Sequence, residues 1–234
     1  MDTFGTYDEY HLALIGDVRG SRAHPDRAAL QRRLKEALET ANREHTPSVP
    51  LAITAGDEFQ GLLAPERAGL AVDLLVELGE RLHPVELAFG LGWGTLATPR
   101  GATTSVSELD GPCFHRARNA LDRAKTDSTW AALEGFGPAL DGLVTGTFGL
   151  MAVIRGGWTG KQAVYVRDAR HAERYKDVAE RHSVVPSVIT ESLQSAHFKA
   201  LLRAEDGLRL ALAALAGGGT GFGAAREPGR DSLK

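Results

Sequence analysis

The sequence predicts an α+β protein in which an antiparallel sheet carries helices on one face and is followed by a small all-α unit. Segments 10–15 and 85–93 indicate strands, because apolar residues are consecutive in the first and alternate with small ones in the second. Segments 25–41 and 65–82 place apolar residues at helical spacing between charged ones. Beyond about residue 141 the pattern favours helices alone.

The first 140 residues give a recognisable order of elements. Apolar runs on both sides of Gly56-Asp57 predict two strands joined by a tight, glycine-led turn. A helix over 112–125 and an edge strand within 130–136 follow. Strand, helix, hairpin, helix, strand and helix form a split βαβ arrangement of the ferredoxin-like kind. We therefore expect a domain over 1–140, with the end of the first strand beside the hairpin tip.

Bulk composition excludes several classes of protein. The 234 residues are 43% hydrophobic and 24% charged, so the chain is neither fibrous nor wholly disordered. A net charge of -3 provides no global attraction to nucleic acid or anionic membrane. Cys113 is the single cysteine, which excludes an intrachain disulfide. The polar start and an apolar stretch of only 142–154 predict a cytoplasmic protein with no membrane partner.

The loop after the first strand has the composition of a ligand site. Segment 16–22 contains two glycines, the carboxylate Asp17 and two arginines. Glycines allow backbone N–H groups to approach an anion, and Asp17 can face a cation. We expect Gly20, Ser21 and Arg22 to bind phosphate; a solvated turn is the alternative.

The hairpin tip carries two adjacent carboxylates, Asp57 and Glu58, which have no packing role in a turn. They either face water or hold a metal ion. If the first strand ends beside them, Asp17 adds a third carboxylate, and without a cation such a group would repel itself. Carboxylate oxygens suit Mg²⁺ or Mn²⁺. We expect one of these two ions as a cofactor.

The strand near residue 90 has an almost bare face, because Gly90, Gly92 and Gly94 alternate with large apolar residues. Such a face lets a helix, a partner chain or a nucleotide approach the backbone. In the helix that follows, Arg118 and Lys125 are seven residues apart and lie on one face. With Arg116 they are candidate phosphate ligands, unless these cations only solvate the helix.

The segment 141–215 has the pattern of a DNA-binding unit. Residues 159–162 match a capping box and predict a helix to about Ala169. The spacing of small and aliphatic residues over 179–193 is that of a helix-turn-helix. Its outward residues would read base edges: Ser187, Thr190, Glu191 and Gln194. Its cations would contact phosphates: Lys176, Arg181 and Lys199.

The charge of this unit limits its affinity for DNA. Nine Lys/Arg and seven Asp/Glu over 156–215 leave a net charge of +2, so we expect a homodimer to be needed for binding. A helical module that binds protein is the alternative. The glycine-rich segment 216–234 has no hydrophobic pattern and is expected to be disordered.

Four segments together resemble the SatD family of bacterial proteins: 14–22, 56–63, 110–125 and 158–162 ahead of the helix-turn-helix. The resemblance covers about residues 10–215. The family is named from an acid-tolerance operon, which implies a role in stress response and transcription regulation. It implies an architecture rather than a reaction.

The first half also resembles, more distantly, the palm-like domains of class III nucleotide cyclases and GGDEF-type diguanylate cyclases. That resemblance implies that Asp17, the Val18 carbonyl and Asp57 ligate metal ions, with Glu58 as a further ligand or a base. Arg118 would steady phosphate and transition state. Two positions depart from the pattern: Ala55 replaces the first GGDEF glycine, and Phe114 replaces the asparagine of cyclases.

These observations favour a DNA-binding regulator whose palm-like domain binds a metal and a nucleotide, either a nucleoside triphosphate or a cyclic nucleotide. The alternative is a Mg²⁺- or Mn²⁺-dependent nucleotidyl- or phosphoryl-transfer enzyme, with Glu58 and Arg118 as catalytic residues. A third alternative is a scaffold whose acidic tip is solvated.

Overall fold

The computed structural model describes residues 9–98 and 105–216, and within these ranges it shows a five-stranded sheet of order β2-β3-β1-β4-β5. The strands are β1 (Tyr10–Val18), β2 (Val49–Ala55), β3 (Glu58–Leu63), β4 (Leu87–Thr95) and β5 (Ala131–Glu134). The α-helices of the same ranges are α1 (Arg27–His45), α2 (Leu70–Leu82), α3 (Pro112–Thr126), α4 (Pro138–Gly156), α5 (Gly160–Arg170), α6 (Tyr175–Arg181), α7 (Pro186–Ser195) and α8 (Phe198–Ala216). The tail that we expected to be disordered lies, from residue 217 on, outside the described residues.

The sheet is mixed, so the prediction of a wholly antiparallel sheet is wrong at one edge. β1 pairs antiparallel with β3 and β4, and β2 pairs antiparallel with β3. β5 pairs parallel with β4. The reason is the intervening α3, because a strand that is reached through a helical crossover returns in the same direction as the strand before it.

Helices cover both faces of the sheet, which corrects the expectation of helices on one face. Leu12 and Leu14 of β1 lie in a core cluster with residues of α1 and α2. Ala13 and Ile15 point to the other side, where they share a cluster with α3. Since successive side chains of a strand alternate between faces, the two clusters lie on opposite sides of the sheet.

The bare face of β4 receives the backbone of α3. A Cβ atom at Gly90 would lie 2.0 Å from the carbonyl oxygen of Ala117, and one at Gly92 would lie 2.1 Å from that of Cys113. No side chain fits in these gaps. The glycines allowed a helix, a partner chain or a nucleotide to approach the strand, and in the described structure it is a helix.

The C-terminal helices contribute to two clusters. Phe148 of α4 and Leu212 of α8 are fully buried in the core under the sheet. α5, α6 and α7 form a second cluster with the start of α8. The predicted capping box is confirmed, because Thr159 accepts from the Gln162 backbone and Gln162 accepts from that of Thr159. The division at residue 140 stays a prediction.

A buried arginine joins the two clusters. Arg170 of α5 donates from Nη1 and Nη2 to the Glu205 carboxylate of α8, at 2.6 and 3.0 Å. Its Nε donates to Glu80 of α2 at 3.0 Å. Glu80 is 8% and Glu205 1% exposed, so this guanidinium compensates two buried carboxylates; Arg209 lies 3.5 Å from Glu205 as a second cation.

Within the described residues, α4 is long and apolar enough to cross a membrane by length and composition alone. The expectation that this apolar stretch is too short is therefore wrong, because the helix spans 19 residues rather than the 13 of segment 142–154. Phe148 and Met151 are buried in the core, whereas Leu143 and Val153 are 67% and 75% exposed. One such helix is weak support for a membrane span, and the cytoplasmic location stays a prediction.

Gly92→Ala should destabilise the protein by about 3 kcal/mol, because the added methyl group meets backbone atoms of α3 that cannot rotate away. Chemical denaturation of both proteins measures this change. Gly207→Ala in α8 is the matched control: its methyl group meets no atom within 4 Å, and we expect a gain of about 1 kcal/mol. Equal stability of the two variants would contradict the close approach.

Candidate functional site

The β2–β3 hairpin presents its carboxylates at the end of β1. Ala55 pairs with Glu58, so Gly56 and Asp57 form a two-residue turn, and Gly56 has the positive φ of 63° that such a turn requires. Gly16 of β1 pairs with Phe59 of β3. The next step along this antiparallel ladder places Asp17 beside Glu58, on the face that α3 covers.

Two cations of α3 neutralise these carboxylates. Lys125 Nζ lies 2.7 Å from Asp17 Oδ2. Arg118 binds Glu58 through both terminal nitrogens, at 2.5 and 2.6 Å. Seven residues separate the two cations, which is about two turns of one helix face. The helix therefore places one cation opposite each carboxylate.

The Arg118–Glu58 ion pair moves the pKa values of both groups away from neutral pH. The hydrogen bond from Arg118 lowers the pKa of Glu58 more than burial raises it, and Gln60 adds a further hydrogen bond at 3.1 Å. The same pairing raises the pKa of Arg118. A general base works best with a pKa near the operating pH. As it stands in this structure, Glu58 is a strong ion-pair acceptor and a poor base.

Asp57 differs from its neighbours, because its Oδ2 is buried and has no hydrogen-bond partner among the described residues. An unpaired buried carboxylate oxygen is unfavourable unless a cation or a donor compensates it. This atom is the observation that fits a metal ion, since oxygen donors are those that Mg²⁺ and Mn²⁺ prefer.

The carboxylate oxygens of Asp17, Asp57 and Glu58 do not all lie within metal-ligand distance of one another. Within the described ranges, the group of metal-ligand side chains with all ligand atoms inside 4.8 Å is a different one, Glu44, His45 and Glu77. Arg81 donates to both of its glutamates, at 2.6 Å to Glu77 and 3.1 Å to Glu44. That guanidinium already supplies the positive charge that a metal ion would bring there.

The glycine loop after β1 is fixed by hydrogen bonds of Arg19. Gly20 adopts the left-handed conformation, with φ of 66°, and Ser21 is buried at the start of a short 3-10 helix that contains the exposed Arg22. Arg19 Nη2 donates to the carbonyl oxygens of Ala124 and Thr129, at 2.8 and 2.6 Å. Sequence reasoning missed this role of Arg19, because its partners lie more than 100 positions away.

The predicted phosphate ligands do not all come together. Arg116 donates to the Trp93 carbonyl oxygen at 2.6 Å, toward β4 and away from Glu58. Two residues apart on a helix, Arg116 and Arg118 point in nearly opposite directions. Beside Arg118 the structure has a cleft of about 400 Å³, whose wall includes Thr54 and Gln60. The sequence did not single out these two residues.

The residues predicted to contact DNA lie on α6, α7 and the start of α8. Ser187, Thr190, Glu191 and Gln194 are all exposed on α7. Lys176 and Arg181 face carboxylates of Glu180 and Asp168, at 3.6 and 3.7 Å. Lys199 lines a cleft of about 540 Å³ with Thr190 and Gln194. The structure therefore brings Lys199 together with the α7 residues.

These features define an α+β protein with a cluster of carboxylates and cations at one end of a mixed sheet and a helical C-terminal region. The chain belongs to the SatD family, whose model matches residues 11–209. A comparison with curated protein sequences found no match.

Three solved structures are similar to this chain. One is a bacterial light-regulated adenylyl cyclase, with 13% identity over 53% of this chain and 75% of its own and a TM-score of 0.43. The adenylyl cyclase CyaB from P. aeruginosa is similar with 14% identity, over 50% of this chain and 72% of the cyclase chain, at a TM-score of 0.39. The guanylyl cyclase domain of the RhoGC fusion protein from the aquatic fungus Blastocladiella emersonii is similar with 14% identity. The match covers 49% of this chain and 74% of that domain, with a TM-score of 0.39.

Arg118→Gln should raise the pKa of Glu58 toward its ordinary value, because the variant removes the hydrogen bond that lowers it most. NMR titration of the Glu58 side-chain carboxyl measures this shift. The ion pair stabilises the protein above the ordinary glutamate pKa, and this stability is lost as pH falls through the lower folded value. The variant should therefore lose less stability than the wild type between pH 5 and about pH 3.

Arg123→Gln is the matched control on the same helix, because Arg123 pairs with Glu134 at 2.9 Å and not with Glu58. It should leave the Glu58 pKa unchanged. An unchanged Glu58 pKa in Arg118→Gln would contradict the pairing.

Proposed function

We propose that this chain is a DNA-binding regulator in which a metal- and nucleotide-binding site in the sheet region is coupled to a helix-turn-helix. The observation that carries the proposal is the arrangement of α6 and α7. Ala179, Ile189 and Leu193 are buried between helices, with exposures of 0, 0 and 4%. Ser183 lies in the connecting turn with φ of 53°. This is the packing pattern of helix-turn-helix proteins.

The exposed face of α7 suits base recognition. Gln194 and Thr190 can exchange hydrogen bonds with base edges, and Val188, 39% exposed, can contact a thymine methyl group. Lys199 and Arg203 line the adjoining cleft and can reach phosphates. Lys176 and Arg181 contribute only if DNA phosphates displace the carboxylates that they now face. A second copy would double these modest contacts.

The DNA-binding proposal is tested with the full chain and DNA selected from a random duplex pool, followed by binding measurements across salt concentrations. Lys199→Gln should weaken binding to all sequences and lower the salt slope by about 1, whereas Gln194→Ala should relax the sequence preference. Lys35→Gln, an exposed lysine of α1 paired with Glu39, is the control and should change neither. Absence of any bound DNA at low salt would exclude this function.

The metal part of the proposal rests on the unpaired Asp57 oxygen. Asp57, Asp17 and the Val18 carbonyl would hold Mg²⁺ or Mn²⁺. When bound, such an ion supplies the positive charge that attracts nucleotide phosphates. Binding at Asp17 would compete with Lys125, and the freed ammonium group could then contact a phosphate, as could backbone N–H groups of the loop at Gly20.

The geometry favours binding over catalysis. Glu58 is held by two hydrogen bonds from Arg118 and its pKa is lowered, so it does not serve as a proton acceptor near neutral pH. The second candidate function, a metal-dependent nucleotidyl- or phosphoryl-transfer enzyme, is favoured by Arg118, which lines the cleft of about 400 Å³ where a phosphate could accept its hydrogen bonds. It requires Arg118 to exchange Glu58 for the substrate.

Calorimetric titration with ATP or GTP and Mg²⁺ or Mn²⁺, with product analysis of the same samples, tests the metal and nucleotide site. We expect metal-dependent binding without turnover, weakened at least tenfold in Asp57→Asn. Without metal, Asp57→Asn should be as stable as the wild type or more so, because it removes the charge of a half-buried carboxylate whose Oδ2 has no partner among the described residues. Glu44→Gln, from the other acidic group, should bind as the wild type does.

The outcomes of this titration separate the two functions. Turnover that Asp57→Asn and Asp17→Asn abolish would establish the enzyme instead of the sensor. If neither nucleotide shows metal-dependent binding, both the nucleotide sensor and the metal-dependent enzyme are excluded.

A further inference from the structure

A third cleft, of about 260 Å³, lies between α2, α4 and the segments that lead into β4 and β5. None of Asp17, Asp57 and Glu58 lines it. Its ionisable lining residues are Arg19, His83, Glu86 and Arg155, and two of the three tryptophans of the chain, Trp130 and Trp158, form part of its wall. The cleft is therefore more basic than acidic and has aromatic sides.

The central group of this cleft is the Arg155 guanidinium. Its Cζ lies 4.4 Å from the ring centroid of Trp130 and 5.3 Å from that of Trp158. Its Nη2 fills the space of a side chain at Gly79, where a Cβ would be only 2.8 Å away. A glycine and two indole rings thus hold the guanidinium in place.

Among the described residues, Arg155 has no counter-ion. Its Nη1 is buried and unpartnered among the described residues, and none of their carboxylates lies within 4.0 Å of the guanidinium. Two carboxylates act on it through their charge, Glu80 and Glu205, but both make their hydrogen bonds to Arg170. A buried cation without a paired charge is strongly unfavourable, and interaction with indole faces offsets only part of that cost.

Thr129 supplies a second unused donor in the same wall. Its side chain is 8% exposed, and its Oγ1 has no hydrogen-bond partner among the described residues. Its backbone is fixed independently, because Arg19 donates to its carbonyl oxygen at 2.6 Å. A hydroxyl donor and a guanidinium donor without acceptors lie in the lining of one cleft, and buried polar groups of native proteins normally find partners.

We propose that this cleft binds a small oxyanion, a phosphate or carboxylate group, through Arg155 and Thr129. An anion supplies both the missing charge and the missing acceptor atoms. Glu86 is an exposed carboxylate in the lining and leaves the cationic side of the cleft dominant. The site does not depend on the metal and nucleotide site proposed above.

Binding requires a small movement, since both donor atoms are covered in the free protein. Trp158 is half-buried in the cleft wall with its ring 5.3 Å from Arg155 Cζ, and its Nε1 donates to the Ala196 carbonyl oxygen at the end of α7, at 3.1 Å. Displacement of this ring by an anion would change that hydrogen bond. The site would then be linked to the position of α7.

Titration of the full chain with inorganic phosphate and, separately, with acetate tests the proposal. We expect a saturable change in tryptophan fluorescence, because two of the three indoles border the site. We also expect a rise in the NMR-measured pKa of His83, which burial and the charges of Arg155 and Arg167 now hold below its ordinary value. An anion beside Arg155 offsets that charge. The more effective of the two anions identifies the preferred group.

Arg155→Gln and Thr129→Val should each weaken the response at least tenfold. In Arg155→Gln the pKa of His83 should already be raised without anion and should no longer respond to it. Loss of structure would have the same effect, so the variant must also keep the circular dichroism spectrum and the unfolding cooperativity of the wild type. Arg32→Gln, an exposed arginine of α1, is the control. Lys125→Gln separates this site from the first one and should retain the response.

Absence of a saturable response to either anion in the wild type would overturn the proposal. So would an equal response in Arg155→Gln, or loss of the response in Lys125→Gln with its retention in Arg155→Gln.

Discussion

The backbone contact between β4 and α3 determines where the cations of the candidate site lie. At Gly90 and Gly92 the helix lies so close to the strand that no Cβ atom fits between them. This contact fixes both the height and the rotation of α3 over the sheet. Arg118 and Lys125 consequently meet Glu58 and Asp17 across the face that α3 covers. A helix held by flexible side chains would not define two ion pairs of this kind.

These ion pairs also decide the chemical character of the candidate site. A carboxylate that is bound by a bidentate arginine keeps its negative charge and gives up its role as a base. Asp57, one residue before Glu58, has one buried oxygen with no partner in the part of the chain that the structure describes. The site therefore combines one unsatisfied acceptor with two exchangeable cations, which suits the binding of a metal-bound polyphosphate better than proton transfer.

Two buried contacts connect this sheet region to the helices that we propose to read DNA. Arg170 of α5 binds Glu80 and Glu205 and so ties the second core cluster to α2 and α8. Trp158 connects the oxyanion cleft to the end of α7 through the Ala196 carbonyl oxygen. Because Trp158 borders the cleft at Arg155 and binds the end of α7, we expect an anion in that cleft to affect the placement of α7.

The sequence by itself determined the local features: the turn at Gly56, the capping box at Thr159, the helix spacing of Arg118 and Lys125, and the neighbourhood of Asp17 and the hairpin. Each depends on backbone geometry or on a periodic pattern within a few residues. Only the tertiary structure decided the parallel β5, the helices on both faces, the direction of Arg116 toward β4 and the hydrogen bonds of Arg19. These depend on which surfaces meet, and the glycine face admits several partners until α3 is seen to occupy it.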